Sequence, residues 1–300
     1  MSPWDPTSNS RAYILLVLTA LCWGANAVFG RLAVGEVSPI ALVSLRWLGA
    51  LCLLFIFARE DIKRDWPVLR ANIRFLALMG ACGFTAFNAL FYIAAHSTTA
   101  VNIGIIQGSI PVFVLLGAFV VYQTRVSGLQ IAGVIVAIIG VAVVVTCADM
   151  NRITDLTFNF GDLLMIVACV FYASYTVGLR KLPPLSSMSL FTMMAFWAFV
   201  FSLPLTAAEI VHGSFQAPSL RGWGVIALVT LFPSFLAQIF FIQGVTIIGP
   251  GRAGIFVNLV PVFAALMAVF ILGEPFEIFH AIALSMVLGG IWLSERGKVS

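Results

Sequence analysis

Ten apolar runs alternate with short polar segments along the chain. They cover 12–34, 39–58, 73–95, 101–121, 127–147, 161–180, 187–208, 221–245, 252–272 and 277–294. Each approaches the roughly 20 residues that a helix needs to cross the hydrocarbon core of a bilayer. Strict two-residue alternation is absent from them, which argues against a β-barrel. The pattern predicts an all-α polytopic membrane protein with ten transmembrane helices.

The runs form two sets of five. The segment Gly104-Ile-Ile-Gln107-Gly-Ser-Ile-Pro111-Val-Phe113 returns 150 residues later as Gly254-Ile-Phe-Val-Asn258-Leu-Val-Pro261-Val-Phe263, and Gly140 returns as Gly290. Earlier in each set the offset is 149: Trp23 and Asn26 fall opposite Tyr172 and Tyr175, and Phe91-Tyr92-Ile93 opposite Phe240-Phe241-Ile242. A period of half the chain marks a duplicated unit. Five spans per copy is an odd number, so the second copy enters the bilayer from the other side. The expected organisation is a tail (1–11, polar and disordered at its start), a first five-helix repeat (12–147), a linker (148–160), an inverted second repeat (161–295) and a short tail (296–300). Pro111 and Pro261 each interrupt an apolar run. Proline removes a backbone donor, and the freed carbonyl must face protein or a wet cavity. Matching interrupted spans in two halves point to a transporter's binding site. Gly104, Pro111, Gly254 and Pro261 are the expected hinges.

Polar faces support that cavity. Trp23 and Asn26 share one helical face with Thr19 and Gly30. Thr85, Asn88 and Tyr92 share another, and Thr230, Ser234 and Gln238 a third. Gln107 and Asn258 precede the two prolines. An amide in lipid faces the bundle interior; it either glues helices together or lines a site, and for so many related faces a shared cavity is the better account. The fifth and tenth runs differ. Gly133, Ala137 and Val141 share a face, as do Ala281, Ser285 and Gly289, and small residues at that spacing let helices approach closely. They read as packing helices, within the fold or between protomers, in a monomer or a dimer.

Composition agrees. Hydrophobic residues are 61% and charged residues 9%, against about 25% charged in a soluble chain. With both termini inside, Lys and Arg number 12 on inside segments and 3 outside, which places the termini in the cytoplasm. The basic stretch Arg59 to Arg74 reads as a topogenic loop, not a nucleic-acid patch. The run after Arg11 reads as a retained span, not a cleaved leader. The five cysteines form no C-x-x-C pair and read as packing residues.

Arg46 is the one charge near the middle of a run. At mid-membrane it costs about 2.5–3.5 kcal/mol on insertion scales. It is either a counter-charge for a substrate carboxylate or a partner for helix-end carbonyls. Every Asp and Glu falls on a loop or at a run's end, so no proton or sodium relay is visible, and the reading is uncoupled movement down a gradient. No catalytic or nucleotide-binding motif appears, so the expectation is no enzyme, no cofactor and no metal.

Trp23-Gly24-Ala25-Asn26, Arg46-Trp47, the two Pro-Val-Phe motifs and Ile271-Leu272-Gly273-Glu274-Pro275 together resemble the drug/metabolite transporter superfamily. Within it the chain is similar to ten-span exporters built of two EamA repeats, of the YddG-type aromatic amino-acid kind. The resemblance implies export of small metabolites, often amino acids, across the inner membrane by alternating access, with spans five and ten peripheral. Two departures stand out: Tyr122-Gln123-Thr124-Arg125 replaces the usual Gly-Glu, and Phe171-Tyr172-Ala173-Ser174 replaces the Trp-Gly-Ala-Asn signature. Glu274 therefore reads as a structural cap or loop residue and not as one of a symmetric pair of site residues. The expected binding residues are Trp23, Asn26, Arg46, Asn88, Phe91, Tyr92, Gln107, Tyr172, Tyr175, Gln238, Phe241 and Asn258. A carboxylate would meet Arg46 or the broken helix ends. An ammonium would meet Asn26, Asn88 or Gln238 and the faces of Trp23 and Tyr92. A side chain would lie among Phe91, Tyr172, Tyr175 and Phe241.

Overall fold

With no water in the bilayer core, each backbone N–H and C=O must be paired within its own segment, so each apolar run becomes a helix. A computed structural model describes residues 6–124, 126–149, 158–182 and 184–297. Its ten spans are Asn9–Leu32, Pro39–Phe57, Ile73–Ala94, Ala100–Tyr122, Gly128–Thr146, Phe160–Lys181, Ser187–Val211, Leu220–Ile248, Arg252–Leu272 and Ile278–Arg296. No strand occurs among the described residues. The first helix already begins at Pro6, inside the segment expected to be a disordered tail. Most of the expected linker, and Arg125, Arg152 and Lys298 of the charge count, lie outside the described residues.

The packing has the symmetry of an inverted repeat. The first span packs on the eighth and ninth, and the sixth packs on the third and fourth. The second pairs with the seventh, the fourth with the ninth and the fifth with the tenth. Exchanging the halves converts every one of these contacts into itself or another. A twofold axis in the membrane plane requires this pattern. Because the spans are even in number, both ends of the chain fall on one face, here the termini face; the other is the far face.

The fifth and tenth spans stand at the edge and meet through glycine. A Cβ on Gly290 would lie 2.5 Å from the Gly133 carbonyl oxygen, and one on Gly133 would lie 2.4 Å from the Gly290 carbonyl oxygen. The small-residue face is thus used within the fold. On the tenth span that face is Ala283, Val287 and Gly290, which are buried, and not Ala281, Ser285 and Gly289, which are exposed.

The two proline spans are broken. The fourth divides into Ala100–Gly108 and Ile110–Tyr122, the ninth into Pro250–Val257 and Val260–Leu272. Each proline stands in the first turn of the second piece, where an N–H would lack an intrahelical partner anyway. The prolines therefore start a helix instead of kinking one. The breaks fall at Ser109 and at Asn258-Leu259. Gly104 and Gly254, the expected glycine hinges, lie inside regular helix: Gly104 presses against Ala264 and Gly254 faces open space.

Two features are not announced by the sequence pattern. The third span holds a π turn, Ala81–Ala86, and the eighth holds another, Thr230–Leu236, at the 149-residue offset. A π turn displaces a carbonyl from its normal donor. Ser234 Oγ donates to the Val229 carbonyl at 2.7 Å, and its counterpart Thr85 Oγ1 donates to the Gly80 carbonyl at 3.5 Å. The second feature is the stretch read as a topogenic loop, which is a helix, Arg59–Ala71. Glu60 and Asp61 in its first turn and Arg70 in its last favour helix through the backbone dipole. Leu69 is buried beneath it.

Carboxylates satisfy helix N-termini. Glu209 accepts from Ser38 Oγ and from the backbone N–H groups of Ile40 and Ala41. In the reciprocal role at the termini face, Asp65 accepts from the Ser186 N–H at 2.9 Å. The Arg64 guanidinium and then this N–H hold the Asp65 carboxyl well below the usual carboxylate range. Glu274 accepts from Ala100 N and Val101 N, both at 3.0 Å, and lies 3.6 Å from Arg31 Nε. It is the cap that the sequence suggests. Its image is Thr124, whose buried hydroxyl has no partner among the described residues.

Gly290→Ala should cost about 1–3 kcal/mol through overpacking, read as a lower thermal unfolding midpoint of the purified protein. Gly289→Ala, at the exposed neighbour, should leave the midpoint unchanged.

Candidate functional site

The breaks place two short non-helical corners at mid-membrane, and a cavity of about 120 Å³ lies between them. Gln107, Gly108, Ile110 and Pro111 line it from the fourth span; Val257, Asn258, Val260 and Pro261 line it from the ninth. The first span adds Trp23 and Asn26, and the second adds Arg46 and Trp47. The two π-turn spans contribute Gly83, Phe84, Phe87 and Asn88 on one side and Pro233 and Gln238 on the other; Tyr172 comes from the sixth.

Of the residues expected from sequence, Trp23, Asn26, Arg46, Asn88, Gln107, Tyr172, Gln238 and Asn258 therefore meet around one space, with Pro111 and Pro261. Phe91, Tyr92, Tyr175 and Phe241 do not line it. Phe91 and Tyr92 are buried behind the wall, where Phe91 packs on Phe87 at 5.8 Å. Tyr175 stacks edge-on against Phe84 and Tyr172, each at 5.5 Å, and Phe241 backs Trp23 at 5.3 Å. They support the lining rings. Phe91 and Tyr92 follow Phe87 and Asn88 by one helical turn on the same face, nearer the far face, and so fall beyond the cavity, while Phe84 reaches it from within the π turn. Trp47, Phe84, Phe87 and Pro233 line the cavity without having been expected there. For Trp47 the available signal was its place beside the one intramembrane charge.

Arg46 is 3% exposed. Its Nε donates to Ser234 Oγ at 2.9 Å and its Nη1 to Asn88 Oδ1 at 2.7 Å and to the Tyr92 hydroxyl. That hydroxyl donates to Asn26 Oδ1 at 2.7 Å. Asn88 Nδ2 in turn donates to the Phe84 carbonyl at 2.6 Å, beside the π turn. The guanidinium also sits over the Trp47 ring, 4.9 Å from its centroid. Every acceptor here is neutral. Among the described residues Arg46 makes no ion pair. Its positive charge is held in place but not cancelled.

The amides divide into two groups. Asn26 and Asn88 brace Arg46 and act as glue. Gln107, Gln238 and Asn258 make no side-chain hydrogen bond to the described residues, and Gln107 Oε1 and Trp47 Nε1 are enclosed without partners. Buried polar atoms normally have partners, so these groups point at a polar occupant.

The two ends of the cavity differ. Toward the far face, Ala100–Ile106 of the fourth span and Val260, Pro261, Ala264, Ala265 and Ala268 of the ninth are buried. Toward the termini face the same spans are loose: Arg252, Gly254 and Ile255 are exposed, and past the break only Val112 and Ala118 of the fourth span are buried. The far end is further tied by Glu274 and by a polar chain. In that chain Thr98 Oγ1 and Asn102 Nδ2 donate to Asp162, and Asn102 Oδ1 pairs with His280 Nε2 at 3.1 Å. Asp162 stands at a span end as expected, yet it is wholly buried.

Two inverted copies, a matched break in each and a polar cavity between the breaks define a multi-pass membrane transporter architecture. Comparison with known proteins supplies the family. The model of the EamA-like transporter family matches residues 10–146 and again 159–296; the chain belongs to that family. It is 29% identical to the uncharacterized transporter YyaM of Bacillus subtilis, over 96% of this chain and 94% of that one. It is 26% identical to the uncharacterized transporter YetK of the same organism, over 96% and 87%. A third relative, 27% identical over 96% and 94%, is the "Probable terminal-alkyne amino-acid exporter" of Streptantibioticus cattleyicolor. A solved crystal structure with 16% identity superposes with a TM-score of 0.61 over 95% of this chain and 96% of the other, a likeness of fold.

Tyr92→Phe removes the hydroxyl between Arg46 and Asn26. It should destabilise the purified protein by about 1–2 kcal/mol, measured as a drop in thermal midpoint, whereas Tyr13→Phe, a partly exposed ring at the other end of the bundle, should not.

Proposed function

We propose that this chain is a secondary transporter that exports amino acids, aromatic ones and a range of others, across the cell inner membrane by alternating access without ion coupling. The observation that carries the reading is the cavity wall: an unneutralised Arg46 and the unpartnered amides Gln107, Gln238 and Asn258 among aromatic rings. A zwitterion with a side chain complements that wall. The carboxylate meets Arg46, the ammonium meets amide oxygens and ring faces, and the side chain lies against Trp23, Phe84, Phe87 and Tyr172. A lining of flexible amides and rings favours tolerance over fine discrimination. The relative named as an amino-acid exporter supports the same class.

The positive-inside bias makes the termini face cytoplasmic and the far face extracytoplasmic. The tied far face and the loose termini face then form the cytoplasm-facing half of the cycle. Export proceeds when substrate bound between the breaks lets the repeats rock about Ser109 and Asn258-Leu259, parting Glu274 from the fourth span. The cavity wall carries no carboxylate, which supports transport driven by the substrate's own gradient, and no catalytic role is assigned to any residue.

The test is counterflow in liposomes containing only the purified protein. Labelled L-phenylalanine should exchange saturably, and an imposed pH gradient should not change the rate. Arg46→Ala should lower exchange at least about tenfold, as expected for loss of one charge-assisted pair. Flux equal to protein-free liposomes contradicts transport; stimulation by the pH gradient contradicts the uncoupled mechanism.

A further inference from the structure

Trp47 has no role in the transport cycle proposed for this chain, yet it lines the cavity and is 3% exposed. Its ring is held between the Arg46 guanidinium, 4.9 Å from the centroid, and Phe84, at 5.0 Å. Its Nε1–H is enclosed and has no acceptor among the described residues. Indole is a donor only, so neither a ring flip nor a tautomer removes the deficit. Arg46 has a matching one. Its Nε and Nη1 are engaged, while its Nη2 makes no hydrogen bond to the described residues. Two neighbouring side chains that line one cavity, packed on each other, thus hold two unused donors, one of them charged.

A group that satisfies both must offer two acceptor atoms and negative charge. A carboxylate does, with one oxygen for each donor. A carboxamide does not, because its NH₂ would meet a donor. We infer that Trp47 Nε1 and Arg46 Nη2 form a carboxylate subsite, with Trp47 the residue that distinguishes a carboxylate from a carboxamide. The inference rests on the amino-acid reading and specifies which end of the substrate this wall holds.

The experiment is calorimetric titration of the purified full-length protein with L-phenylalanine and with L-phenylalaninamide, for the wild type and for Trp47→Phe. The variant keeps a ring for Arg46 and Phe84 to pack on and removes the N–H. The wild type should bind the acid at least about tenfold tighter than the amide. Trp47→Phe should weaken the acid about tenfold and leave the amide within about twofold, the size of one hydrogen bond to a charged group. The inference is overturned if the wild type binds acid and amide equally, a result that needs no variant. It is also overturned if the variant loses both ligands alike, or loses neither. Failure of the wild type to bind L-phenylalanine or a mixture of the other amino acids overturns the amino-acid reading and this inference with it. Wild-type binding with a Trp47→Phe that keeps the wild-type preference for the acid overturns this inference alone.

Discussion

Inside a bilayer a polar group has no water to fall back on, so each one must be satisfied by the protein or by what the protein holds. Most of this molecule is a consequence of that constraint. It makes the ten runs helical and puts Glu209, Asp65 and Glu274 against helix N-termini. It gives each π turn a hydroxyl, Thr85 or Ser234, that donates to a displaced carbonyl. Four enclosed polar atoms have no partner among the described residues: Thr124 Oγ1, Trp197 Nε1, Trp47 Nε1 and Gln107 Oε1. The last two belong to residues that line the central cavity, as do the unengaged amides of Gln238 and Asn258. The cavity is where most of the unengaged polar side chains meet.

The duplication makes the asymmetry informative. Two identical halves would close either face equally well. Here Glu209 and Asp65 keep their exchange, one at each face. Glu274, however, caps the fourth span at the far face, and the corresponding position at the termini face is Thr124, with no partner among the described residues. The ninth span begins instead at Pro250, which has no N–H to offer. The backbone marks the same pair of positions: Gly273 and Gln123 both have positive φ, 67° and 51°, a conformation that glycine adopts without strain and glutamine does not. Stronger ties at the far face explain why that end is packed and the other is loose.

The sequence made the fold legible because its determinants are periodic. Ten runs, an odd number per half and the Pro111–Pro261 match were enough for topology and inversion. Most of the site was legible too, since amides and an arginine in lipid have few other reasons to exist. What stayed hidden depended on backbone detail. Neither π turn is announced by its residues, and neither is the depth at which the cavity ends along the third span, so Phe91 and Tyr92 were placed in the cavity and Phe84 and Phe87 were not. The prolines signalled the breaks, whereas Gly104, seven residues earlier, lies within regular helix and packs closely on Ala264. Trp47 stands out in the sequence only as part of a motif; its unpartnered nitrogen is a fact of three dimensions.

The central claim is a water-filled chamber between the two breaks that communicates with the termini face. Its most direct measurement is side-specific labelling in sealed, oriented vesicles, on a background with the five native cysteines replaced. Asn258→Cys should react with a membrane-impermeant maleimide added at the termini face, and L-phenylalanine should protect it. Ile106→Cys, on the packed side of the break, should stay unreactive. An Asn258→Cys that reacts from neither face, or only from the far face, would contradict the account.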